Sequence, residues 1–85
     1  MAAFDFFITL DGNCLNGFEG LCGVARLRCD PDADLWEKDV HFFDGLAGGH
    51  ATQVNPTGTL GFLGNLSQTL LFYDPRTLRE VRRLS

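Results

Sequence analysis

Glycine and proline punctuate this chain too often for a helix of ordinary length. Ten glycines and three prolines are spread over 85 residues, and the longest stretch free of both runs only from Asp32 to Asp44. That stretch carries Trp36, Val40, Phe42 and Phe43, and its second half alternates like a strand. Helical periodicity is nearly absent elsewhere, while short apolar runs rich in β-branched and aromatic residues recur between turn signals. Such a pattern predicts an all-β protein.

Seven strands are predicted: Phe4–Leu10, Gly23–Cys29, Glu37–Phe43, His50–Val54, Thr59–Gly64, Thr69–Tyr73 and Glu80–Leu84. The breaks between them have the chemistry of turns. Asn55-Pro56-Thr57-Gly58 sets φ with its proline and offers glycine for the left-handed position, and Asp74-Pro75-Arg76-Thr77 is a second such segment.

The chain also repeats itself. Asp30-Pro31 recurs as Asp74-Pro75, 44 residues later, and Arg26–Cys29 upstream of the first parallels Leu70–Tyr73 upstream of the second. Leu10–Asn13 parallels Phe62–Asn65 at a spacing of 52, which places an insertion of eight residues within 14–22 of the first copy. A repeat of about 40–50 residues with four short strands is the pattern of propeller blades.

On these residues the chain resembles the β-propeller repeats of lactonase-like and other bacterial propellers. The likeness is fullest over His50–Leu84, where a Pro-x-Gly hairpin at Pro56–Gly58 is followed by a strand ending in Gly64-Asn65. Tyr73-Asp74-Pro75 and Thr77-Leu78 then precede a last strand. The resemblance implies two antiparallel four-stranded blades in one unit over residues 1–85. Residues 50–85 form the complete blade. Residues 4–43 form a partial one that carries the inserted loop 14–22 and lacks its inner strand. Two blades do not close a ring, since rings typically take about four to eight. The implied partners are further blades, from a longer chain or from other copies; a small unrelated β domain is the remaining alternative.

Composition narrows the function classes. Eleven acidic side chains against seven basic ones leave a net charge of -4, which disfavours binding to nucleic-acid phosphates. The charge is divided: residues 1–50 carry a balance of -6 and residues 51–85 one of +2, so head-to-tail attraction between copies is open. No apolar run approaches the ~18–20 residues of a membrane-spanning helix. Met1-Ala2-Ala3-Phe4 runs directly into Asp5 without a basic segment, so no signal peptide is expected and a cytoplasmic setting is. Three cysteines, Cys14, Cys22 and Cys29, with no C-x2-C pair predict neither a disulfide framework nor a structural zinc site.

The candidate site residues follow from the blade geometry that the resemblance implies. Links from one blade to the next, and between the second and third strands of a blade, would share one face; the turns at Pro31, Pro56 and Pro75 would lie opposite. His50, just after Gly48-Gly49, would begin an inner strand at the mouth of a central channel. It reads either as a channel-lining histidine or as one metal ligand among several that other blades supply, since neutral imidazole suits iron or zinc. Gly49 and Phe18 are the other ligand-binding candidates, Phe18 as a partner contact or as cover for the core. His41 reads as a sheet-surface residue, and Asp30, Asp32 and Asp34 lack the glycine and distal glutamate of a calcium loop. No nucleophile–base pair, G-x-S-x-G or G-x-G-x-x-G motif is present. The sequence thus assigns no catalytic residue and no cofactor. The reading is a binding or scaffold module, with a piece of a metal- or small-molecule-handling propeller enzyme as the alternative.

Overall fold

The computed structural model describes residues 3–11 and 22–85. Phe18 and nearly all of the 14–22 insertion lie outside the described residues. The described residues form seven strands: β1 (Phe4–Asp11), β2 (Cys22–Asp30), β3 (Leu35–Phe42), β4 (Gly49–Val54), β5 (Gly61–Asn65), β6 (Leu70–Tyr73) and β7 (Glu80–Leu84). They form two antiparallel sheets in simple sequential order, β1-β2-β3 and β4-β5-β6-β7. No helix occurs among the described residues.

The turns show why the strands stop where they do. Asn55 folds the β4–β5 connection around its side chain, with Oδ1 accepting from the backbone N–H of both Thr59 and Leu60 at 2.9 Å. Gly58 takes φ +71° in that turn, as its position after Pro56-Thr57 requires. The turn therefore holds Thr59 and Leu60, and β5 starts at Gly61 rather than Thr59. Asn65 does the same for β5–β6: its Nδ2 donates to Thr69 O at 2.7 Å and its Oδ1 accepts from Ser67 N at 3.0 Å. Asp74 closes β6–β7, its backbone carbonyl accepting from Thr77 and Leu78 and its Oδ1 from Arg76 N.

Two features differ from the sequence reading. Cys22 is not part of the inserted loop; it is the first residue of β2, pairs with Asp11 and is fully buried. The spacing of 52 between the Leu10 and Phe62 motifs also does not follow the pairing. The spacing of 44 sets Leu27 against Leu71, but Leu71 enters the core while Leu27 lies on the outward face of its sheet, and their partners, Phe6 and Leu63, are 57 apart. The cause is ladder length. β1 and β2 pair continuously out to Asp11–Cys22, whereas Asn65 turns the chain back soon after Leu63.

The core lies between the two sheets. Pairing places Asp5, Phe7, Thr9, Cys22, Val24, Arg26, Asp39 and His41 on one face of the N-terminal sheet. Val24 and Cys22 from that face, with Phe43 and Leu46 beyond β3, pack with Leu63, Leu71, Tyr73 and Leu78 in one buried cluster, flanked by Phe7 and Val54. Phe7 and Phe43 both lie against the Tyr73 ring, at centroid distances of 6.5 and 6.1 Å. The Tyr73 ring in turn covers Gly61, where a side chain would collide with it. Its hydroxyl, buried among apolar groups, is satisfied by Thr52 Oγ1 at 2.5 Å, and Thr52 also reaches Phe62 O at 2.8 Å. At the other end Thr9 and Leu10 of β1 press on Gly49, which has no room for a Cβ.

Candidate interaction surface

The outward face of the N-terminal sheet is apolar across all three strands. Opposite faces alternate along a strand, so the residues that do not enter the core are Phe4, Phe6, Ile8 and Leu10 on β1. On β2 they are Gly23, Ala25, Leu27 and Cys29, and on β3 Trp36, Lys38, Val40 and Phe42. Phe6, Ile8, Val40 and Phe42 are each about half exposed, and Trp36 is 65% exposed. Lys38 is the one charged side chain on that face among the described residues. An antiparallel sheet that meets water on one face normally alternates apolar with polar residues. Here the outward face is the more apolar one, while the inward face sets Phe7, Cys22 and Val24 beside Asp5, Arg26, Arg28 and Asp39, and the exposed patch is of the kind that marks an interaction surface.

The C-terminal sheet shows a milder version of the same design on the opposite side of the molecule. Phe62 and Phe72 lie side by side on its outward face at 5.9 Å, with Leu70 and Leu84 next to them. A hollow of about 400 Å³ opens there, bounded by Pro56, Leu60, Phe62 and Phe72. Among the described residues β1 is paired on one side only, and no strand of the N-terminal sheet takes the place that β4 takes beside β5.

A polar groove of about 520 Å³ runs between the sheets at the end that carries the proline turns. Arg26 spans it: Nη1 donates to Pro75 O at 3.0 Å and Arg76 O at 2.6 Å, while Nη2 meets Asp39 Oδ2 at 2.5 Å. Arg28 grips Asp5 with two hydrogen bonds, 2.9 and 3.2 Å, and these hold the Asp5 carboxyl below its ordinary range. Arg76 does the same to Asp74 on the neighbouring turn. The groove's named cations are engaged with protein oxygens, which makes it a polar seam that joins the two sheets. The sequence reading missed this seam, because nothing in the spacing of Arg26, Asp39 and Pro75 announces their meeting.

His50 stands exposed at the start of β4, where the register with β5 shifts between Gly49 and Ala51. Gly49 beside it is buried against β1. No group of three or more His, Cys, Asp or Glu side chains placed to hold a metal occurs among the described residues. His41 packs edge-on against Phe43 at 4.9 Å. Cys22 and Cys29 are free thiols, and burial pushes the Cys22 thiol up from its ordinary value, away from reactivity. The β3–β4 link and the β5–β6 turn share one end of the molecule, since Leu66 N donates to Ala47 O and Gly48 O. The turns at Pro56 and Pro75 share the other, where Gly58 and Pro75 both border the groove. No helix of the described residues is long and apolar enough to cross a membrane.

A scan against protein-family models found no match, and searches of the curated proteins and of the solved structures found none either.

Proposed function

We propose that this chain contributes two neighbouring blades to a β-propeller and serves there as a binding or scaffold module. The observation that carries the reading is the apolar outward face of the N-terminal sheet. A sheet whose inward face already packs on a second sheet, and whose outward face is apolar as well as exposed, has the pattern of a middle layer, covered on both sides. In a propeller every blade is such a layer. The sequential strand order, the face-to-face contact of the sheets and the second apolar face on the C-terminal sheet support the same arrangement. So does the edge of β1 that pairs with no strand among the described residues, where an inner strand would complete the first blade.

Within this reading the end of the molecule that carries the β3–β4 link, Gly49 and His50 is the ligand-facing end. The Pro31, Pro56 and Pro75 turns form the opposite end. Rigid sheets then hold short loops around a central opening, which is how such a module would present a binding surface without chemistry of its own.

Small-angle scattering of the native protein tests the proposal. The expected particle is a flattened disc, larger than the two sheets alone. A monodisperse, folded particle with the 13.5 Å radius of gyration of the two sheets would overturn it.

A further inference from the structure

We infer that the partner which covers the N-terminal sheet is a second copy of this chain, docked head to tail through the outward face of its C-terminal sheet; the inference rests on the propeller reading. Three observations favour this occupant. First, the two apolar faces lie on opposite sides of one molecule, so each copy offers both halves of the contact. Phe4 and Trp36 stand at the end of their sheet next to the Pro31 turn, and the hollow at Phe62 and Phe72 lies at the end next to the Pro56 turn. Stacking in the same sense as the two sheets within the chain brings these ends together, aromatic row against aromatic hollow.

Second, the halves carry opposite charge. Residues 1–50 have a balance of -6 and residues 51–85 one of +2. Head-to-tail docking sets a half of balance -6 against one of +2, whereas pairing two N-terminal sheets would set -6 against -6. Lys38 and Arg82, the charges on the two outward faces, stand on the outermost strands β3 and β7, where long side chains reach water at the rim.

Third, the area of the face argues for a closed ring over a lone pair. Three strands of about eight residues cover roughly 400 Å² in projection. A stable complex buries about 800 Å² on each partner. One such contact falls short, while ring closure gives every copy two. A heterologous contact that rotates to closure makes a ring, and two sheets per copy reach the usual four to eight blades with about two to four copies.

The test is native mass by light scattering for the wild type, for Phe6→Glu, for Phe72→Glu and for an equimolar mixture of the two variants. The wild type is expected as one discrete multimer, and each variant alone as a folded 9.4 kDa monomer. The mixture should show only a weak, concentration-dependent pair and no closed multimer, because a single intact contact remains between the two variants. Far-UV dichroism checks folding, and Trp36→Glu and Leu70→Glu, at more exposed positions of the same faces, replace any variant that fails to fold. A wild-type monomer that fails to fold overturns the inference while leaving the propeller reading with blades from further along the same polypeptide, whereas a folded wild-type monomer overturns both. A dimer abolished by Phe6→Glu and untouched by Phe72→Glu overturns both, since it would be a symmetric pair and not a step in a ring.

Discussion

The N-terminal and C-terminal sheets are built from the same strand plan, yet they solve the problem of burial differently. The C-terminal sheet has four strands and sends Leu63, Leu71 and Tyr73, all fully buried, into the shared core. The N-terminal sheet has three strands and commits much of its aromatic content, Phe4, Phe6, Trp36 and Phe42, to the side away from that core. The first arrangement stabilises the chain as it stands. The second adds to stability only where something else lies on that face. Stability and association should therefore separate by face, and substitutions can show whether they do.

The largest effect is expected where the two sheets meet. Leu71→Ala or Tyr73→Ala should cost about 2–5 kcal/mol in denaturant unfolding, through lost transfer energy and an unfilled cavity. Trp36→Ala on the outward face should cost the isolated chain about 1 kcal/mol or less, because the side chain is 65% exposed already. Equal costs at Tyr73 and Trp36 would break the distinction between the faces.

A sharper contrast lies within the C-terminal sheet. Gly61→Ala forces a methyl group into the Tyr73 ring and should cost about 1–3 kcal/mol. Gly64→Ala, three residues along the same strand, meets nothing closer than 3.7 Å and should be nearly neutral by the same measurement.

Tyr73→Phe keeps the ring and removes only the hydroxyl that Thr52 satisfies, so the expected loss is about 1 kcal/mol. The same residue gives an alkaline signature. Burial pushes its phenol above the ordinary value of 10.0. The folded state thus favours the protonated form, and this contribution is present below pH 10 and lost as pH rises through the folded value. As Tyr73 is the chain's one tyrosine, tyrosinate absorbance should appear only together with loss of the β spectrum.

The smallest effect concerns the polar seam. The Arg28 guanidinium lowers the Asp5 carboxyl below its ordinary 3.8, so its contribution is present above that value and is lost as pH falls through the folded one. Asp5→Asn should flatten the acid limb of the stability curve slightly and leave the plateau near pH 7 little changed, since the pair is exposed.

Much of the fold was legible because turns are local. Asn55-Pro56-Thr57-Gly58 and Asp74-Pro75 carry their own conformational instructions, and alternation along Phe4–Leu10 marks a strand without reference to any partner. The strand ends shifted where a side chain reached further than its neighbours, as Asn55 does to Leu60. Register and facing were less legible. Phe6 and Phe7 are adjacent and equally apolar, and only the pairing with Leu27 and Arg26 decides which one enters the core. The apolar outward face was hidden for the same reason: its members come from three strands and become one patch only when the sheet forms.

The outward face can be watched through Trp36, the chain's one tryptophan. Its emission and its quenching by acrylamide should be measured on the native protein and on Phe6→Glu. If the face is an interface, native Trp36 is blue-shifted and shielded, and Phe6→Glu makes it red-shifted and quenchable while the β spectrum persists. A native protein with full β structure and a freely quenched Trp36, indistinguishable from the variant, would mean that the apolar face of the N-terminal sheet lies bare in water.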